Sequence, residues 1–307
     1  MAMLTDAATP NPTTEATASH EPRALARFAT TLAHVLSTPL GAIGLALVLL
    51  IVLTALLAPT IAPYDPTAIN VKNRLADPSL AHLLGTDQLG RDLFSRVILG
   101  TRTAMTVALT ALATALALAL PLGLVAGYGP RWLDGLMVLM FDSISSLPMI
   151  MLGLAVVVLI GPGLPTVILV IVLYCVPSYA RLVRTQTLSL KSRDFIKAEQ
   201  AMDAGTPRIL FRHLLPNVIG PLLILACLDI STVITLEAGL SFLGLGVKPQ
   251  IPSWGNILSD GFAVIRKSAV PVVAGGVPLV LATLGFTFFG EALRDALDPR
   301  LARERRP

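Results

Sequence analysis

The residues able to do chemistry in this chain are few and scattered. Four histidines (His20, His34, His82 and His213) stand far apart, and Cys175 and Cys227 each lie inside an apolar run. No spacing matches a metal set, a phosphate-cradling glycine loop, a zinc-protease helix or a nucleophile elbow. The cysteines read as small buried hydrophobes rather than as a disulfide or metal pair. Catalysis and metal binding by this chain are therefore not expected. Two kinds of charged group remain. The dense one is residues 194–216, DFIKAEQAMDAGTPRILFRHLLP, set between long apolar runs. The sparse one is three acids, Asp142, Asp229 and Glu237, isolated within such runs. A charge at the centre of a bilayer costs at least ~2.5 kcal/mol, so each acid must face protein or water. They line a path for a polar solute or they make helix-packing hydrogen bonds, and the sequence leaves both readings open. No Lys or Arg partner is expected for them within the spans.

The elements that position these groups are written in the composition. The 307 residues are 54% hydrophobic and 14% charged, against about 25% charged in a soluble domain. A helix needs about 20 apolar residues to cross the hydrocarbon core. That rule predicts six spans in an all-α membrane protein: 39–62, 103–127, 135–160, 166–182, 218–240 and 270–290. Residues 1–38 read as a polar, disordered tail without a signal peptide, and 291–307 as a second tail. Two outer segments, 63–102 and 241–269, are longer than simple connectors require. The transmembrane core is 103–290, with an inner loop at 183–216. Of the 23 Lys and Arg, 15 fall on one side when both termini are placed in the cytoplasm. The excess of cationic loops favours that orientation. It also explains the net charge of +4 without nucleic acid. Prolines 121, 148, 177, 221 and 278 fall inside the spans, as kinks in the packing or as hinges. Gly123 and Gly127 form a small-xxx-small pair that permits close helix approach.

Within 194–216 the apolar positions Phe195, Ala198, Ala201 and Met202 share one helical face. Gly205 is the expected stop, since glycine adopts positive φ freely, with Thr206 as cap and Pro207 as first residue of a second helix over 208–215. Leu210, Phe211, Leu214 and Leu215 are expected on one side of that helix, Arg208 and Arg212 on another, and Pro216 closes the unit. Such a pair of helices is a rigid body that a cytosolic partner could push, or an interfacial pair lying on anionic lipid. Outside, Asp87, Arg91, Asp92 and Arg96 alternate in sign and suggest an ion-pair lattice around Gly90. That lattice holds the segment in place or touches an extracytoplasmic binding protein. Trp254, in PSWG, reads as an anchor at headgroup level.

From 198 to 216 the sequence resembles the loop of permease subunits in binding-protein-dependent ABC importers, Glu-Ala-Ala, then Gly, then Leu-Pro. The chain is most similar to the C-type subunit of dipeptide/oligopeptide permeases. The motifs are LLAPTIAPYDP (56–66), LGTDQLGRDLFSR (84–96), SYARLVR (178–184), FRHLLPN (211–217), LSFLGLG and PSWG (240–255), and LRDALDPR (293–300). Lys197 and Asp203 depart from the pattern, which has Glu and Gly at these positions. The resemblance implies the type I importer permease fold, both termini cytoplasmic, in the cell inner membrane. It implies a homologous permease partner, two cytosolic ATPases that bind ATP and Mg, and an extracytoplasmic solute receptor. It assigns the ATPase-coupling loop to Lys197, Ala198, Glu199, Ala201, Met202, Asp203, Ala204, Gly205, Thr206, Pro207, Arg208, Phe211 and Arg212. The transported solute would be a di- or oligopeptide or a similar small molecule. A carrier working alone on an ion gradient is the alternative, although its usual polar core is missing here.

Overall fold

The computed structural model describes residues 31–297; the expected tails therefore lie outside it over 1–30 and 298–307, while 31–37 are helical. Helix α1, Pro39–Ile61, begins where the Thr38 hydroxyl accepts from the Gly41 N–H at 3.2 Å. That satisfies a donor the first turn would leave orphaned. Helix α2, Leu93–Tyr128, is capped by Asp92, whose Oδ2 accepts from the Ser95 N–H at 2.7 Å. Its 36 residues span roughly 54 Å at 1.5 Å per residue, well beyond the ~30 Å hydrocarbon core. The expected outer segment thus becomes helical from Leu93 onward.

The third expected span is not one helix. Helices α3, Arg131–Ser145, and α4, Met149–Ile160, meet at 89°. Pro148 sits at the break. It has no N–H to donate and disfavours helical geometry in Leu147 before it, so the chain turns there. The other four span prolines stay inside continuous helices. Helix α5, Leu164–Lys191, follows, then α6, Asp194–Ala201. Helix α7, Thr206–Arg208, runs through a π-turn at Ile209–Leu214 directly into α8, Leu215–Phe242. Helix α9, Trp254–Ala263, lies in the second outer segment, and α10, Val270–Leu297, completes the bundle. Among the described residues, five helices are long and apolar enough to cross a membrane, and the bent α3–α4 pair makes a sixth if it is one span.

Small residues set the packing. Ala104, Ala108, Ala111, Ala115 and Ala119 of α2 are completely buried, and the stripe continues through Gly123 and Gly127. A Cβ on Gly123 would lie 2.5 Å from the Val183 Cβ, and one on Gly127 2.6 Å from the Thr187 Cβ. Helices α2 and α5 therefore touch backbone to side chain, as apolar helices in lipid do when no hydrophobic drive separates them from solvent. Gly44 and Gly285 play the same part between α1 and α10, against Phe288 and Leu47.

Candidate functional site

Residues 192–214 form one compact knuckle at the end of the bundle that also carries Tyr128 and Lys191, here called the inner end. Helix α6 stops in a two-bond cap. The Ala204 N–H donates to the Glu199 carbonyl at 3.0 Å, and the Asp203 N–H to that of Gln200 at 3.1 Å. This geometry requires a left-handed residue just past the helix. That residue is Asp203, at φ 56°, while Gly205 has an ordinary φ of −60°. The bend thus falls two residues earlier than expected from Gly205. Aspartate tolerates positive φ better than most side chains, which reconciles Asp203 with a position where the resembling loops have glycine.

The second helix also differs from expectation. Because α7, the π-turn and α8 are continuous, Pro216 does not close the unit but lies in the first turn of α8. The knuckle and the long span are one rod. Burial is distributed differently as well. Ile196, Ile209 and Leu214 form the base, whereas Phe195, Met202 and Phe211 are 45%, 69% and 67% exposed. The expected face 195/198/201/202 therefore points outward, whereas in the second helix Leu214 is buried, Leu210 and Leu215 are half-buried against the core, and only Phe211 of that face is exposed. Glu199 joins the two halves, 3.2 Å from His213 Nε2 and 3.7 Å from Arg208 Nε. His213 was not singled out by spacing, because a lone histidine carries no pattern. Lys197 reaches only Asp194, at 3.5 Å in solvent. Ala198, Ala201, Thr206, Pro207 and Arg212 are exposed on this knuckle.

The knuckle is tied to the spans beside it. Lys191 Nζ donates to the Tyr128 carbonyl at 2.8 Å and lies over the Tyr128 ring. Arg184 of α5 donates to Asp134 of α3 at 2.8 Å. One turn away, Arg181 donates to Asp142 at 2.7 Å and to Ser145 at 2.7 Å. Asp142 was expected to lack a cation within the spans; Arg181 supplies one from a different helix, which linear spacing cannot show. Two ion-pair rungs thus bind the first half of the broken span to the helix that enters the knuckle.

The other two acids are placed differently. Glu237 is completely buried, accepts from the Ser241 hydroxyl at 2.7 Å, and lines no open path. Asp229 is half-buried at the middle of α8 beside Tyr179.

At the outer end the expected lattice forms and is buried. Arg91 Nε lies 2.6 Å from Asp87, and Arg91 Nη2 2.8 Å from Asp260. Arg96 sits 3.7 Å from both carboxylates, and His82 pairs with Asp92 at 2.9 Å. Asp260, in α9, was missed because it lies far from the motif in sequence; it fastens the two outer segments to each other. Gly90 holds φ 75°, with the Asn70 carbonyl filling the space a side chain would need. Trp254 is no interfacial anchor. It is 0% exposed, and its indole Nε1 donates to the Val97 carbonyl at 3.2 Å against Gly100. The missing side chain at Gly100 makes room for the ring, so the indole is drawn into the core.

The chain can be set beside known proteins on these grounds. Residues 119–303 match the family described as binding-protein-dependent transport system inner membrane component. Residues 32–78 match the N-terminal TM domain of oligopeptide transport permease C. A dipeptide transport system permease protein of Alkalihalophilus pseudofirmus is 37% identical over 85% of this chain and 86% of its own. A di/tripeptide permease of Pseudomonas aeruginosa is 38% identical over 84% and 87%. A glutathione transport system permease of Pectobacterium atrosepticum is 36% identical over 83% and 85%. In fold, an inward-facing MetNI methionine ABC transporter chain is similar at TM-score 0.54 and 20% identity, over 67% of this chain and 97% of that one. The chain belongs to the binding-protein-dependent transport system inner membrane components, in the C-type branch of the oligopeptide permeases, and is a multi-pass protein of the cell inner membrane.

Proposed function

We propose that this chain is the C-type membrane subunit of an ATP-driven importer for di- and oligopeptides or similar small solutes. The observation that carries the reading is the knuckle: three exposed apolar side chains on a rigid body that continues without a joint into α8. Its partners would be a homologous permease, two cytosolic ATPases holding ATP and Mg, and an extracytoplasmic receptor that delivers the solute. Both termini and the knuckle then lie in the cytoplasm, and this chain holds no ATPase site of its own. Closure of the ATPase dimer on nucleotide pushes Phe195, Met202 and Phe211. Glu199 passes the push between α6 and α7, and the rod turns with α8. The Arg184–Asp134 and Arg181–Asp142 rungs move α3 with α5, so the break at Pro148 opens or closes a cavity shared with the second permease. ATP drives the change only because it favours one of the two states.

Reconstitution of the complete assembly in liposomes tests this. Dipeptide uptake is expected to require receptor and ATP together, and to survive collapse of proton and sodium gradients. Gradient-driven uptake by the chain alone would overturn the reading.

A further inference from the structure

A groove of about 670 Å³ runs between α5, α8 and α10 in the inner half of the bundle. Its walls are apolar, Leu182 from α5 and Pro221, Leu225 and Leu228 from α8, with Gly220 leaving room at the rim. The one charged residue that lines it is Arg294 of α10. Gly220, Pro221 and Arg294 are exposed, so the groove opens on the surface of the bundle. From Gly220 to Leu228 it runs about 12 Å along α8.

Depth decides what Arg294 can meet. The 28 residues of α10 span roughly 42 Å, so a centred helix reaches about 6 Å past the hydrocarbon core at each end. Arg294 lies in the last turn of that helix. Its guanidinium therefore stands among headgroups, while the apolar walls below it stand among acyl chains. Among the described residues, no ion pair uses Arg294. Its acidic neighbours Glu291 and Asp295 fall on the far side of it from Leu297, and neither lines the groove.

An exposed guanidinium at the head of an apolar groove complements one kind of occupant, an anionic headgroup on an acyl chain. Basic pockets between helices at this level bind phospholipid headgroups. The sequence beyond α10 has the same sign. Arg300, Arg303, Arg305 and Arg306 follow there, against Asp298 and Glu304, and a basic run just past a span attracts anionic lipid.

We infer that this groove binds an anionic phospholipid such as phosphatidylglycerol, with one acyl chain along Leu225 and Leu228 and the phosphate on Arg294. A guanidinium matches a phosphate in charge and in fork geometry, through two parallel N–H···O bonds. The acyl chain fills the groove without selecting, since lipid tails are as apolar as its walls. Selection therefore rests on Arg294, and space on Gly220. A Cβ added at Gly220 would meet no atom within 4 Å, so a side chain there fills the groove without disturbing the helices. The inference concerns a lipid ligand and is independent of the solute transported.

The test uses the full-length chain in its own membrane vesicles. The probes are phosphatidylglycerol and phosphatidylcholine, each with a photoactivatable diazirine on one acyl chain, and labelled residues are identified by mass. Phosphatidylglycerol should label Leu225 and Leu228 at least about five-fold more than phosphatidylcholine, the ~1 kcal/mol that one Arg contributes at an anionic site. Arg294→Gln should remove that preference, and Arg294→Lys should retain much of it, since the charge is kept. Gly220→Phe should abolish labelling of both leucines by either lipid without lowering the amount of chain, because most residues favour a helix more than glycine does. Inorganic phosphate should not compete. Equal labelling by the two lipids, unchanged in Arg294→Gln, would overturn the inference by making the groove ordinary lipid-facing surface. Loss of labelling on adding inorganic phosphate would overturn it in favour of a free anion. Absence of labelling in the wild type would overturn it by showing that protein covers the groove.

Discussion

Phe211→Asp is expected to strip the ATPase subunits from the purified assembly and reduce uptake to background, while the chain still inserts into the membrane. Phe211 is 67% exposed at the tip of the knuckle, so its replacement leaves the chain's own core untouched. What it removes is an aromatic anchor for a partner. Residues of that kind carry at least ~2 kcal/mol at the centre of an interface, about a thirty-fold loss of affinity, before the added charge is counted. Two positions earlier the outcome should reverse. Ile209 is 1% exposed, and Ile209→Asp would bury an unpaired carboxylate at the base of the rod and lower the amount of folded protein. Co-purification of ATPase with both variants, measured against chain abundance in the membrane, separates the two effects. Normal ATPase recovery with Phe211→Asp would show that the partner docks elsewhere.

The second large effect belongs to the outer end. Asp87→Ala would leave Arg91 and Arg96 buried, with only Asp260 to balance them. Asp87 now accepts from the Leu89 and Arg91 N–H groups at 2.8 and 3.0 Å through one oxygen, and from Arg91 Nε at 2.6 Å through the other. Removing one partner of a buried ion pair typically destabilises by about 3–5 kcal/mol, because the remaining charge has lost its hydration and gained nothing. The outer segment should then detach from α9. The chain should become sensitive to trypsin at exposed Arg74, and its unfolding in detergent should begin at lower temperature. Asp87→Asn retains the acceptor for the two backbone donors and should fall between wild type and alanine. Unchanged protease resistance in Asp87→Ala would mean that the lattice does not hold the two outer segments together.

What could be read from the sequence and what could not follows from how far apart the interacting residues lie. The spans were legible because apolar length is a local property; α1 and α8 differ from expectation by only a few residues. The break in the third span was signalled by Pro148, but four other prolines carried the same signal without breaking their helices. Neighbouring helices decide that, and a single segment does not display them. The knuckle was located from its charge density, yet its bend was misplaced. The pattern favoured Gly205, whereas the two-bond cap needs its left-handed residue immediately after Met202, where Asp203 stands. The partners Arg181 and Asp260 could not be found by spacing, since each is supplied by another helix. Trp254 shows the same limit: an indole near the end of an apolar span has the composition of a membrane anchor, and the absent side chain at Gly100 puts it in the core.

The central claim is that the knuckle, residues 192–214, is gripped on the cytoplasmic side by the ATPase. A single cysteine at Met202, 69% exposed at the bend, tests it in sealed vesicles of known orientation, after Cys175 and Cys227 have been replaced by alanine. The expected result is a crosslink from position 202 to an ATPase subunit whose yield changes when ATP is added, with no labelling by an impermeant maleimide from the extracytoplasmic face. Labelling of position 202 from that outer face, with no crosslink to the ATPase, would contradict the account.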